Sequence, residues 1–153
     1  MRILVINPGS TSTKVSLFED KRAQFEKSVF HDSSVLLKFA HVNDQLPFRY
    51  DLIVSLLKEK GVEPASIDAF VGRGGSAHTQ PGGITVIDQR LFDDTVVGVG
   101  GSEHPAKLGV MLAWKFAQEY GKPAYTLNPT NVDEYGELAR LTGIRGVYRT
   151  PHA

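Results

Sequence analysis

Arg2-Ile3-Leu4-Val5-Ile6-Asn7-Pro8-Gly9-Ser10-Thr11-Ser12-Thr13-Lys14, the run that opens the chain, decides how the rest is read. A short apolar strand enters a turn of Asn, Pro, Gly, Ser and Thr that is closed by one lysine. Val15-Ser16-Leu17-Phe18 then alternates apolar and polar, as a half-buried strand does. The unit is strand, small-residue turn, strand. Gly9 lets the backbone approach a ligand closely, and the hydroxyls of Ser10, Thr11, Ser12 and Thr13 can donate to phosphate oxygens. Lys14 adds a point charge, and Asn7 offers an amide oxygen to a hydrated Mg²⁺. The stretch is not the G-x-x-x-x-G-K-[ST] phosphate loop, because the second glycine is missing and a strand, not a helix, follows. The same residue types also suit an ordinary polar hairpin, so residue types alone leave both readings open.

Outward from this hairpin, Gln24 to Phe30 reads as a third strand, and short strands joined by tight turns imply an antiparallel meander. Helices are expected at Ser33 to Phe39 and at Phe48 to Lys60, where Leu52, Ile53, Leu56 and Leu57 share one face and Gly61 follows the end. Ile67 to Val71 is a buried strand running into Gly72-Arg73-Gly74-Gly75, and Ile84 to Ile87 is a short extended segment. Asp88 caps a helix through Val97. The longest helix runs from Pro105 to Tyr120 with Gly121 after its end, and its one polar stripe predicts that most of it is buried. Ala124 to Leu127 is a strand, and Glu134 to Leu141 a helix ended by Gly143. Three leading strands followed by alternating helices and strands give an α/β layer with a mixed sheet. Ligands of such sheets sit outside the carboxyl ends of the strands, where Asn7, Arg73 and Asn128 all fall.

At 153 residues the chain is one domain's worth, large enough for a real core. Lysine plus arginine equals aspartate plus glutamate at 17 each, so no bulk field favours nucleic acid or an anionic membrane. There is no apolar run near membrane-spanning length and no signal-peptide pattern. The absence of cysteine removes disulfides and thiolate metal sites and suits a cytoplasmic location.

Val-Ile-Asn-x-Gly-Ser-x-Ser-x-Lys, as it stands in Val5 to Lys14, resembles the opening of the acetate and butyrate kinase family, in the sugar-kinase, heat-shock-chaperone and actin superfamily. Its Asn-Pro-Gly-Ser-Thr-Ser-Thr-Lys form resembles the butyrate-specific members most. The resemblance extends over the whole chain with motifs in family order. It implies a ribonuclease-H-like (actin-like ATPase) fold for residues 1–153, as the N-terminal domain of a two-domain acyl kinase that holds ATP between its domains. It also implies a reaction: transfer of the γ-phosphoryl group of ATP, with Mg²⁺, to butyrate or a similar short or branched acid. Ser10, Ser12 and Lys14 would contact the nucleotide phosphates and Asn7 would help organise Mg²⁺. Arg73, set among glycines, matches the arginine that binds the substrate carboxylate, a task for which its planar fork is suited. Two residues later acetate kinases typically carry valine; Gly75 stands here and implies a larger acyl pocket.

His104, before the long helix, resembles the family histidine that stabilises the transferring phosphoryl group, and His152 falls in the Arg-x-x-x-His pattern of a second one. The departure is at Asn128, where the family has an active-site aspartate. An amide cannot act as a base, but a carboxylate substrate with a pKa near ~4–5 is already ionised at pH 7 and needs none. Asp133 is a nearby source of the missing charge or simply a helix cap. His31, His41 and His78 match no motif and read as surface or packing residues. The resemblance further implies ATP or ADP and a short-chain carboxylate as partners, no nucleic acid or membrane, and room for a homo-oligomer of the full-length enzyme. With the C-terminal domain absent from the chain, residues 1–153 alone are expected to be inactive or nearly so. An acetate-preferring relative and a non-catalytic phosphate- or partner-binding half-domain are the alternatives.

Overall fold

Alternation in the first thirty residues becomes three antiparallel strands in the computed structural model: β1 (Arg2–Pro8), β2 (Ser12–Glu19) and β3 (Arg22–Phe30). The structure describes residues 1–75, 78–99, 103–129 and 131–149. β4 (Ala69–Gly72) and β6 (Ala124–Leu127) extend the sheet parallel to β1, and β5 (Ile84–Val86) closes it as an antiparallel edge. The order across the sheet is β3-β2-β1-β4-β6-β5. Helices are α1 (Ser33–Leu36), α2 (Leu46–Glu59), α3 (Gln89–Val97) and α4 (Lys107–Tyr120).

Period-two alternation sends Leu4 and Ile6 of β1, and Thr13, Val15 and Leu17 of β2, to one face, where all are buried. α2 and α4 cover that face, joining Ile53, Leu57, Leu108, Leu112 and Phe116 to the same core. Each such side chain contributes roughly 1.5–3 kcal/mol by leaving water. Phe116 stacks on Phe70 with ring centroids 5.2 Å apart and meets Tyr50 at 4.4 Å. The Tyr50 hydroxyl donates to the Glu119 carboxylate, which lets a phenol stay in the core rim. Burial, followed by this carboxylate, pushes the Tyr50 pKa up.

α4 is buried on nearly every side, as its sequence predicts. Gly109 is the closest point: a Cβ there would overlap the Arg73 carbonyl, and one on Gly72 would overlap the Gly109 carbonyl. Helix and strand therefore meet backbone to backbone at the end of β4. Two segments fall short of their expected helices. Ser33 to Phe39 yields only α1, capped by the Asp32 carboxylate but burying no residue that would reward extension. Glu134 to Leu141 shrinks to a 3₁₀ turn at Glu137–Arg140, because Gly136 is extended and the Asp133 carboxylate draws off both the Tyr135 N–H and the Arg140 guanidinium. Asp133 thus forms an Asx-type turn and an ion pair instead of capping a helix.

The candidate phosphate and carboxylate site

Because β1, β4 and β6 run parallel, their carboxyl ends reach the same edge of the sheet, with Ile6 beside Gly72 and Gly72 beside Thr126. Asn7, Arg73 and Asn128 follow within two residues of that line, so the structure brings them to one edge. The hairpin is tighter than the residue types suggest. Strand pairing takes in Asn7 with Lys14 and Pro8 with Thr13, leaving Gly9 to Thr11 as the turn. Gly9 N–H donates to the Ser12 carbonyl at 2.8 Å, and His31 N–H donates to the Thr11 carbonyl at 2.8 Å. Ser10 is exposed at the tip. Asn7 and Lys14 are cross-strand neighbours and therefore share a face, opposite the one that carries Thr13 and Val15. Lys14 Nζ lies 2.8 Å from Glu26 Oε1, an exposed pair. The hydrogen bond from Lys14 holds the Glu26 carboxyl below its ordinary range. An exposed pair is held loosely, so Lys14 can exchange this carboxylate for a phosphate.

Behind the hairpin lies a network that sequence reading missed. Arg49 of α2 is fully buried. Its Nη1 donates to the Ser12 carbonyl at 3.0 Å and to Thr13 Oγ1 at 2.9 Å, while Nε and Nη2 donate to Gln45 Oε1 at 3.2 and 2.9 Å. Thr13 Oγ1 lies 2.9 Å from His31 Nε2, and the His31 ring packs edge-on against Phe48 at 5.3 Å. Since Thr13 accepts from Arg49, its hydroxyl proton is available to His31 Nε2, which makes the ring a neutral acceptor there. The signal was present: Arg49 stands at i, i+4, i+7 and i+8 with Ile53, Leu56 and Leu57, inside the apolar stripe of the helix.

Burial first, and the Arg49 charge second, lower the His31 pKa from its ordinary 6.5. The unfolded chain therefore takes up this proton before the folded one does. The His31 contribution to stability is complete above about pH 6.5 and is lost as the pH falls from there to the folded-state pKa. In urea unfolding between pH 5 and 8, His31→Gln should flatten this part of the profile relative to the unsubstituted protein. Parallel profiles would remove the assignment.

At the end of β4, Arg73 N–H donates to the Ile6 carbonyl at 2.9 Å, while the residue itself is exposed. Gly74 and Gly75 continue with φ of 98° and 142°, values that L side chains rarely adopt. A Cβ on Gly74 would overlap the Ala106 carbonyl, so the Arg73 loop lies directly on the first turn of α4. A Cβ on Gly75 would come within 3.2 Å of Val110 Cγ2, tighter than an ordinary contact, and 3.6 Å of Pro129 Cβ, so the glycine sits in a narrow apolar place. Thr126 Oγ1 donates to the Gly74 carbonyl at 3.0 Å and ties the loop to β6. His104 precedes α4 and is exposed; its Nδ1 accepts from Ala106 N–H at 3.2 Å. The base of this turn is held by Lys107, whose buried Nζ reaches the Val96 carbonyl at the end of α3 at 3.3 Å and Glu103 Oε1 at 3.4 Å.

Asn128 has φ 42°, a left-handed conformation that Asn tolerates better than most residues. Its Oδ1 accepts from Gly83 N–H at 2.7 Å and so faces the loop before β5. His152 lies outside the described residues. Among the described residues no group of three or more His, Cys, Asp or Glu side chains can hold a metal ion, and no helix is long and apolar enough to cross a membrane.

No protein-family model matches the chain. Butyrate kinase 1 of Clostridium acetobutylicum is 38% identical over 148 residues, which are 97% of this chain and 41% of that protein. A probable butyrate kinase 2 of Caldanaerobacter subterraneus subsp. tengcongensis is 40% identical over 143 residues, 94% of this chain and 40% of that protein. The chain thus spans about two fifths of the length of the curated relatives it matches. Among solved structures, the acetate kinase of Porphyromonas gingivalis superposes with a TM-score of 0.63 at 16% identity, over 99% of this chain and 45% of that one. The acetate kinase of Entamoeba histolytica gives 0.62 at 16% identity, over 95% and 39%. The fold is therefore that of the acetate kinases, a ribonuclease-H-like α/β layer, and along nearly its whole length the chain is similar in sequence to the butyrate kinases.

Proposed function

We propose that the chain is the phosphate- and acyl-binding part of an ATP-dependent carboxylate kinase that acts on butyrate or a similar short or branched acid. One observation carries the reading. The β1–β2 hairpin, the Arg73-Gly74-Gly75 loop and the His104 turn meet at one sheet edge in a chain 38% identical to a butyrate kinase. In the reaction a carboxylate oxygen of the acid attacks the γ-phosphorus, the bond to the β-bridging oxygen breaks, and ADP leaves with that electron pair. The nucleophile is ionised at neutral pH, so positioning and charge neutralisation are the work of the protein. Arg73 holds the acid's carboxylate, and Gly75, where acetate kinases typically carry valine, adds no side chain against an acyl chain longer than acetate. Ser10, Ser12 and Lys14 bind the polyphosphate. His104 and His152 are assigned the task of stabilising charge on the transferring group.

The residues present suit Mg²⁺ that arrives on the nucleotide. Asn7 offers an amide oxygen, Asn128 a second one already engaged by Gly83, and among the described residues no carboxylate cluster stands ready for a resident ion. Mg²⁺ would supply charge neutralisation on the polyphosphate when bound. The part of the relatives beyond the match furnishes the opposite wall of the nucleotide cleft, and the cytoplasm, where ATP is abundant, is the expected setting.

Hydroxylamine trapping of acyl phosphate from Mg²⁺, ATP and butyrate tests the proposal. The chain alone should give no more than a trace. The chain joined to the remainder of butyrate kinase 1 should turn over, with butyrate or isobutyrate preferred to acetate. Full turnover by the chain alone would overturn the divided cleft. A joined protein that binds MgADP but phosphorylates none of these acids would overturn the carboxylate kinase, and a strong acetate preference would overturn the Gly75 pocket.

A further inference from the structure

Arg49 is a fully buried guanidinium for which the described residues provide no carboxylate. All of its recorded acceptors are neutral: Gln45 Oε1, Thr13 Oγ1 and the Ser12 carbonyl. Burial lowers its pKa to about 10, which still leaves it a cation at neutral pH. A buried charge without a counter-ion is expensive, and neutral hydrogen bonds offset only part of that expense. What makes the arrangement informative is where the charge points. The Ser12 carbonyl accepts from Arg49 on one side and from Gly9 N–H on the other, so the guanidinium is bonded to the oxygen that closes the Gly9–Ser12 turn. Thr13, on the core face, takes the second bond, while Ser12 and Lys14 turn to the opposite face.

We propose that Arg49 is a positioning residue for this turn, holding it in shape from behind and lending it an unbalanced buried positive charge that a polyphosphate in front of the turn completes. The inference rests on the kinase reading only in taking a polyphosphate as the ligand. Low-polarity protein between Arg49 and the ligand screens their attraction less than water would, so the charge acts without touching the anion. His31 reports on the same field, because its ring reaches Arg49 through Thr13.

The test follows the backbone amides of Gly9 to Lys14 by NMR during titration of the chain with inorganic pyrophosphate and Mg²⁺. Arg49→Met, which keeps the bulk and removes the charge, should weaken binding at least tenfold, and Arg49→Lys should recover part of that loss. Ile53→Ala, which loosens the same helix with Arg49 in place, should leave affinity within twofold. In the unsubstituted protein, saturating pyrophosphate should raise the His31 pKa, a readout that stands if Arg49→Met fails to fold. Equal affinity in folded Arg49→Met and the unsubstituted protein would overturn the inference while leaving the phosphate site intact. So would an equal loss in Ile53→Ala, or a His31 pKa that stays fixed while the turn amides saturate. Amides that never move in the unsubstituted protein would overturn the phosphate site itself, and this inference with it.

Discussion

Gly72→Ala and Gly109→Ala should each destabilise the fold by about 3 kcal/mol or more, a loss large enough to leave much of the protein unfolded. Neither effect comes from backbone conformation. At each position the added methyl would occupy the space of a main-chain carbonyl on the other element, Gly109 for one and Arg73 for the other. A carbonyl cannot rotate away as a flexible side chain would, so α4 must lift from β4 or the strand end must buckle. Lifting α4 also loosens Leu108, Leu112 and Phe116 from the core. Gly136→Ala is the control, because nothing lies within 4 Å of its added methyl and its φ is an ordinary −67°. Urea unfolding should show both core-side variants with sharply lowered midpoints and the control within a few tenths of a molar of the unsubstituted protein. A midpoint for Gly72→Ala close to that of the control would mean that the helix and strand are not in backbone contact.

Arg73→Ala, in the chain joined to the remainder of a butyrate kinase, should lower kcat/KM for the acid by roughly 10²-fold or more. Most of the loss should fall on KM for the acid, with MgADP affinity unchanged, because the arginine is assigned to the carboxylate and not to the nucleotide. Arg73→Lys should recover little, since an ammonium cannot grip both carboxylate oxygens in one plane. Stability should not change measurably. The side chain is exposed, and the structural bonds at this position belong to its backbone. If KM for the acid were unaffected while nucleotide affinity fell, Arg73 would have to be reassigned to the phosphates.

What the sequence made legible tracks how local the physics is. The meander could be read from alternation because each strand's partner is the next one along, and α2 and α4 from apolar stripes ended by glycine. β5 was read as extended, but its antiparallel place beside β6 depends on a pairing of Ile84 with Leu127 that no short window contains. The Glu134 to Leu141 helix was misread because propensity was counted without the competition from Asp133, whose carboxylate captures a backbone N–H and Arg140. At the site, the order of the hairpin, Arg73 and His104 could be read, while the joining of the last two by Ala106 on Gly74 could not. Arg49 was hidden for a different reason: a charged residue reads as surface by default, and only its place in the apolar stripe of α2 argues otherwise, while His31, read as surface or packing, turns out to pack.

The glycine contact between β4 and α4 also bears on how such a cleft can move. With the Arg73 carbonyl pressed on Gly109 and Gly74 pressed on Ala106, the arginine loop and the turn bearing His104 cannot slide past one another. Any hinge that closes this edge around a ligand must carry them as one rigid block. The freedom left to the edge lies across the sheet, at the hairpin tip, where Ser10 and Thr11 are exposed and the Thr11 carbonyl is tied to His31 N–H. An edge built this way keeps the Arg73 and His104 backbones at a constant separation and leaves any adjustment to the hairpin tip.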